Sequence, residues 1–342
     1  MQEQLQTNIA SSKTKKIIRN LIFLILSVVL LYFSFRGVKW NDFITGLKSC
    51  NYYWILASMF VGFLGFVVRA LRWRLLLLPL NNTITRKETY NGVTIAYLTN
   101  FAFPRAGEIA RCGVVAKSSK VSFEGALGTV VLERSFDLFC LILWVVLLLV
   151  FKWSEFGSFL QDTLFKPFVD KLSGNLLLSL GIVFGVLALI IAVFLAVRNK
   201  LKKSKIYKKI AEIVKGLIKG FFSAFRMKNK WLFLSYTLLL WGTYWLTSIT
   251  TIYAFPSVSG LNVIDALFLM IVGGLGWTVP VQGGLGAYHL IISLALLAVY
   301  GIAQTTGVVF ATISHESQAL VMIICGTASI INMSLNKKNS KP

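Results

Sequence analysis

Of 342 residues, 56% are hydrophobic and 14% are charged, against about 25% charged in soluble domains, so an ordinary water-soluble globular chain is excluded. The net charge of +22 would suit nucleic acid, but the lysines and arginines gather between apolar runs. That is the positive-inside pattern of membrane proteins, so no nucleic-acid partner is expected.

The chain opens with a polar tail, residues 1–16. Lys13, Lys15, Lys16 and Arg19 precede the apolar run Leu21–Phe35, which places the N-terminus in the cytoplasm. No small-x-small cleavage signal follows, so this run reads as an uncleaved first span rather than a signal peptide. A second span is predicted over about Tyr52–Leu71. Arg69, Arg72, Arg74, Arg86 and Lys87 around its end mark a cytoplasmic connection. Tyr90–Phe103 is too short to cross and is broken at Pro104, followed by a moderate stretch to about Val115. The pair predicts a re-entrant hairpin over about 89–118.

Leu138–Phe151 is apolar but also too short to cross alone. Completing a span requires residues back to about Ser122, which draws Glu133, Arg134 and Asp137 into the membrane. This closes a first membrane repeat, 17–151. Residues 152–175 read as an external loop. Leu176–Val197 carries no charge and opens a second repeat, 176–332. Residues 198–230 then hold 12 of the 35 Lys/Arg. Within them, about 205–226, Ile206, Ile210, Ile213, Leu217, Phe221 and Phe225 recur at helical spacing opposite lysines. Such a stripe lies flat in the interface, as an anchoring elbow or a collector of anionic headgroups. Trp231–Phe255 is the next span. A second hairpin, about 263–300, is interrupted at Pro280 and at Gly283, Gly284 and Gly286. Gly307–Ile331 crosses last, and residues 333–342 form a cytoplasmic tail.

The expected fold is therefore all-α and polytopic, with two Pro/Gly-broken hairpins. Six spans plus two hairpins and eight spans both satisfy the charge rule. Each half reads span, span, broken hairpin, span, and PRAG at 104–107 matches the P-x-x-G spacing of PVQG at 280–283. Paired interruptions of this kind point to an inverted-repeat transporter with its site between them.

The charged residues within the spans supply the chemistry. A broken helix frees backbone amides that favour an anion. Glycines such as Gly107 allow close approach there, and Arg105 and Arg111 add guanidiniums that fit phosphate bidentately. Alternatively, Glu108 neutralises one of those arginines. Asp137 shares a helix face with Glu133 and Arg134, and intramembrane ionisable groups are functional candidates. They serve proton coupling, attract Arg105 or Arg111, or clamp span to hairpin. His315 with Glu316 is a candidate proton relay, and His289 reads as a satisfied interior histidine. Cys50, Cys112, Cys140 and Cys325 lack a CxxC and read as free thiols. Two histidines are too few for a dedicated metal cage, and no cofactor is expected.

PRAGE with Arg111, VVLERSFD, and P-x-x-GGLG together resemble the membrane region of lysylphosphatidylglycerol synthase/flippase proteins, over about residues 15–335. The resemblance implies a bacterial inner-membrane domain that moves an anionic or modified-headgroup lipid between leaflets. It implicates Pro104, Arg105, Gly107, Glu108, Arg111, Glu133, Arg134, Asp137, Pro280, Gly283, Gly284 and Gly286. Two departures matter. The sequence lacks the soluble aminoacyl-transfer domain of the full-length synthases, so lysyl transfer is not expected of it. His289 stands where that family commonly has an acid. The expected partners are membrane lipids, an anionic phospholipid or a lipid-linked phosphate. Two other classes stay open: an integral-membrane transferase or phosphatase acting on a lipid-linked substrate, and a non-catalytic partner of a separate synthase. There is no Asp-x-Asp metal motif and no Ser/His/Asp arrangement to favour an enzyme.

Overall fold

The computed structural model describes residues 21–118, 121–152 and 227–339. The tail 1–16, nearly all of the loop 152–175, the span Leu176–Val197 and the basic stripe 205–226 lie outside them. Among the described residues every regular element is helical: α1 (Leu21–Phe35), α2 (Trp40–Lys48), α3 (Tyr52–Leu77), α4 (Arg86–Ala102), α5 (Gly107–Ser118), α6 (Phe123–Phe151), α7 (Lys230–Tyr253), α8 (Val263–Thr278), α9 (Ala287–Tyr300) and α10 (Gln304–Asn339). Among the described residues five apolar segments, α3, α6, α7, Gln282–Tyr300 and α10, are long enough to cross a membrane, or six if α1 and α2, bent by 91°, count as one. The protein is an all-α, multi-pass membrane protein. It divides into two compact units, Met1–Glu133 with Lys228–Pro342, and Arg134–Met227. The first holds every contact described below.

Local sequence sets the helix ends. Thr85 caps α4 and forms a capping box with Glu88, and Asn262 does the same for α8 with Asp265. Each box satisfies two amides that would otherwise be orphaned at the helix start. Gly301 ends α9 in the left-handed conformation, φ 65°. Its amide and that of Ile302 return to Leu297 and Leu296 carbonyls at 3.0 and 3.1 Å, satisfying the last turn. The recruitment of residues back to Ser122 is met closely, since α6 begins at Phe123 and runs 29 residues.

Helix pairs in a bilayer gain little from burial of apolar surface against lipid, so small residues and hydroxyls carry the contacts. α3 and α7 meet in this way: the Ser58 hydroxyl lies 3.1 Å from Thr251 Oγ1. A Cβ at Gly65 would stand 3.1 Å from Thr243 Oγ1. α10 joins the pair through Gln318, whose Nε2 donates to the Ser58 carbonyl and hydroxyl oxygens, each at 3.2 Å. It reaches α4 through Thr94 and Ser329, whose hydroxyls are 2.8 Å apart. α4 packs on α5, and α8 on α9, as two helical hairpins.

Candidate functional site

The first hairpin breaks in a tight turn. The Ala106 amide donates to the Phe103 carbonyl at 3.1 Å, with Pro104 second in the turn and Arg105 third. Arg105 has φ 61°, the only non-glycine with positive φ among the described residues. A type II turn favours proline and then glycine at those two places, so an arginine there carries backbone strain of roughly 1–2 kcal/mol. Across the break, Asn100 Oδ1 accepts from the Gly107 amide at 2.7 Å. A Cβ at Gly107 would run into the Ala96 carbonyl and into Asn100, so only glycine lets α5 start this close to α4.

One turn into α5, Arg111 is buried and its Nη1 meets Glu133 Oε2 at 2.8 Å. Glu133 is fully buried on α6. Its other oxygen takes Arg69 Nη2 at 2.8 Å and Arg72 Nη2 at 3.1 Å, both from α3. Three guanidiniums from two helices thus converge on one carboxylate from a third. Aromatic side chains surround them. Arg111 lies 4.8 Å from the Trp73 ring centre, Arg72 5.8 Å from Phe233, and Arg69 5.7 Å from Tyr97. These distances suit attraction to the ring quadrupole. Trp73 Nε1 donates to Thr129 on α6 at 3.0 Å, and Arg69 Nη1 donates to the Tyr97 and Tyr244 hydroxyls at 2.9 and 3.2 Å. The cluster therefore ties α3 through α7 together.

The second hairpin breaks over Val279–Gly286. Gly283, Gly284 and Gly286 have φ of 55°, 76° and 80°, a region open to glycine and rare for other residues. A Cβ at Gly283 would stand 2.6 Å from Phe101 Cδ2, and one at Gly286 the same distance from the Ser27 carbonyl. The turn is thus wedged between the end of α4 and α1, where the Ser27 hydroxyl also bonds Gln282 Oε1 at 3.0 Å. The second interruption reaches the end of the helix that precedes the first: Gly283 packs on Phe101 of α4, three residues before Pro104. Beside them, His315 Nε2 lies 2.8 Å from the Gly283 carbonyl and its Nδ1 lies 2.9 Å from Glu316 Oε1. His289 Nε2 lies 3.8 Å from the same oxygen.

The predicted residues fall into distinct places. Arg111 and Glu133 come together, so Arg111 is the arginine that an α6 acid draws in. Arg105 sits exposed on its turn, with Pro104 and Glu108 partly buried. Arg134 is exposed and Asp137 partly buried, in the other compact unit. Pro280, Gly283, Gly284, Gly286, His289, His315 and Glu316 gather at the second break. The sequence reading missed Arg69 and Arg72, which it assigned to the cytoplasmic connection. α3 instead continues to Leu77 and buries both, at 6% and 0% exposure. The available signal was their i, i+3 spacing on one helix face, followed by Trp73 and then Leu75, Leu76 and Leu77, which resume the apolar run.

No curated protein and no solved structure matches the chain. A family model does, over residues 20–326, a span that contains both breaks, the arginine–glutamate cluster and the two histidines. This chain belongs to the family of the lysylphosphatidylglycerol synthase TM region.

Proposed function

We propose that this membrane protein moves a lipid with an anionic or modified headgroup between leaflets. The headgroup passes the two neighbouring helix breaks while the acyl tails stay in lipid. The observation that carries this reading is the contact of the Gly283 turn with Phe101 beside the Pro104 turn. It makes one locus of two interruptions distant in sequence, and irregular backbone inside a membrane is tolerated where it is buried in protein or lines a wet cavity. The order of helices supports a repeat: α3, the α4/α5 hairpin and α6 have the same order as α7, the α8/α9 hairpin and α10. Alternating access is then rocking of one repeat against the other. Membership of the family supports a lipid as cargo. The setting is the inner membrane with both termini cytoplasmic. The protein acts as a transporter rather than an enzyme.

The roles of the arginines divide. Arg105, exposed on the turn, meets the headgroup. Arg111, held on Glu133 and Trp73, fixes α5 behind it. Arg105→Gly separates charge from fold, because glycine suits φ 61° and should raise stability by about 1 kcal/mol. In liposomes carrying fluorescent phosphatidylglycerol, the variant should insert normally and lose most of the wild-type scrambling rate. Scrambling at the wild-type rate would remove Arg105 from the path. A chemically altered lipid recovered from the same vesicles would favour the transferase or phosphatase class.

A further inference from the structure

The chain has two histidines in 342 residues, and they meet. His289 on α9 and His315 on α10 have ring centres 5.0 Å apart, and both are buried, at 2% and 0% exposure. Their hydrogen bonding is informative. A backbone carbonyl can only accept, so His315 Nε2, 2.8 Å from the Gly283 oxygen, carries a proton. In the neutral ring Nδ1 is then a bare lone pair, and it lies 2.9 Å from Glu316 Oε1, another acceptor. Two acceptors at that distance repel unless a proton or a cation lies between them.

Three features favour a metal cation. The first is the partner of His315: a metal-binding imidazole typically donates its second N–H to a carbonyl or carboxylate, which fixes tautomer and ring orientation. Trp277 adds to that orientation, stacked on His315 at 4.4 Å and 18°. The second is His289, whose ring is buried beside the same carboxylate oxygen. Its Nε2, 3.8 Å from Glu316 Oε1, is too far for a hydrogen bond. The third is spacing. Donors bound at about 2.0–2.2 Å to one tetrahedral ion stand roughly 3.3–3.5 Å apart. Here the contacts to the shared carboxylate oxygen are 2.9 and 3.8 Å, and one donor atom from each of the three residues lies within 4.8 Å of the others. Glu316 is 48% exposed at its side chain, so its carboxylate is free of close packing and can adjust toward an ion.

We propose that His289, His315 and Glu316 form a binding site for one divalent transition-metal ion of the zinc class, with two imidazoles, one carboxylate and a fourth position open to water. Imidazole donors select such an ion over magnesium or calcium. The bound ion fastens α9 to α10 and, through His315, to the Gly283 turn. The histidine count set a metal aside in the sequence because it hid both the meeting of the two rings and the third donor.

The test uses full-length protein with any histidine tag removed, equilibrated with Zn²⁺ and then freed of loosely held ion. About one equivalent of zinc should remain. The visible spectrum after Co²⁺ exchange should be that of a four-coordinate nitrogen–oxygen site, and Zn²⁺ should raise the melting temperature. His289→Ala, His315→Ala and Glu316→Gln should each weaken retention at least about tenfold. Glu316→Gln, at a half-exposed position, keeps the test valid if a histidine variant fails to fold. Wild-type protein with neither retained zinc nor a melting shift would overturn the site and leave a shared proton between His315 and Glu316. Retention unchanged in Glu316→Gln and the folded histidine variants would assign the zinc to other donors such as the cysteines. Zinc content is read without reference to lipid movement, so this result and the transport result stand or fall separately.

Discussion

Glu133→Gln should destabilise the detergent-solubilised protein by about 3–5 kcal/mol, the usual cost of removing one partner from a buried ion pair. The substitution keeps the shape of the side chain and removes its charge. It takes from Arg69, Arg72 and Arg111 the carboxylate they share at 2.8–3.1 Å. Because the cluster joins five helices, the loss should appear as reduced yield of folded protein and a lower melting temperature, rather than as local fraying. Glu133→Asp, which keeps the charge on a shorter arm, should fall between the two. A second change separates charge from packing. Arg111→Met in the Glu133→Gln background should recover part of the loss, because it removes one buried cation and keeps an unbranched chain beside Trp73. Non-additivity of that size is expected for residues in direct contact. Equal melting temperatures for wild type and Glu133→Gln would show that the cluster does not hold the helices together.

Gly283→Ala should abolish lipid movement and destabilise the fold through two separable effects. Alanine at φ 55° costs roughly 1–2 kcal/mol. Its Cβ would also stand 2.6 Å from the Phe101 ring, so either the ring or the turn must shift. Phe101→Leu, combined with Gly283→Ala, should relieve the collision and leave the dihedral strain. The double variant should therefore melt between Gly283→Ala and wild type. If it melts no higher than Gly283→Ala, the ring contact is not what holds the turn.

Much of this architecture is legible in the residues. Pro104 and the glycines after Pro280 announce the breaks because proline and clustered glycine are incompatible with an uninterrupted helix. The shortness of Leu138–Phe151 forces α6 back through Glu133. Which charges meet is less legible. Hydropathy ends a span at the first cluster of arginines, and the positive-inside rule then explains those arginines away, so Arg69 and Arg72 were placed in a connection. Only the fold reveals that a carboxylate 61 residues further along reaches Arg72. His289 and His315 were hidden for the same reason. Each is an isolated residue on its own helix, and their closeness exists only after α9 and α10 pack together. Arg105 was legible as a charge in a turn, while its left-handed backbone depends on the turn geometry.

The position of Glu133 in the chain also has a consequence for biogenesis. Arg69 and Arg72 emerge from the ribosome with α3, well before their anionic partner exists. At about 5–20 residues per second, the 61 residues separating Arg72 from Glu133 represent roughly 3–12 seconds of synthesis. Each arginine is unfavourable by about 2.5–3.5 kcal/mol at the centre of an inserting helix and by less toward its ends. Through that interval the end of α3 is better accommodated in the insertion machinery or at the membrane surface than in lipid. Final seating of α3 should therefore follow the arrival of α6. A nascent chain arrested before Glu133 should remain accessible to quality-control proteases, and one arrested beyond Phe151 should become protected.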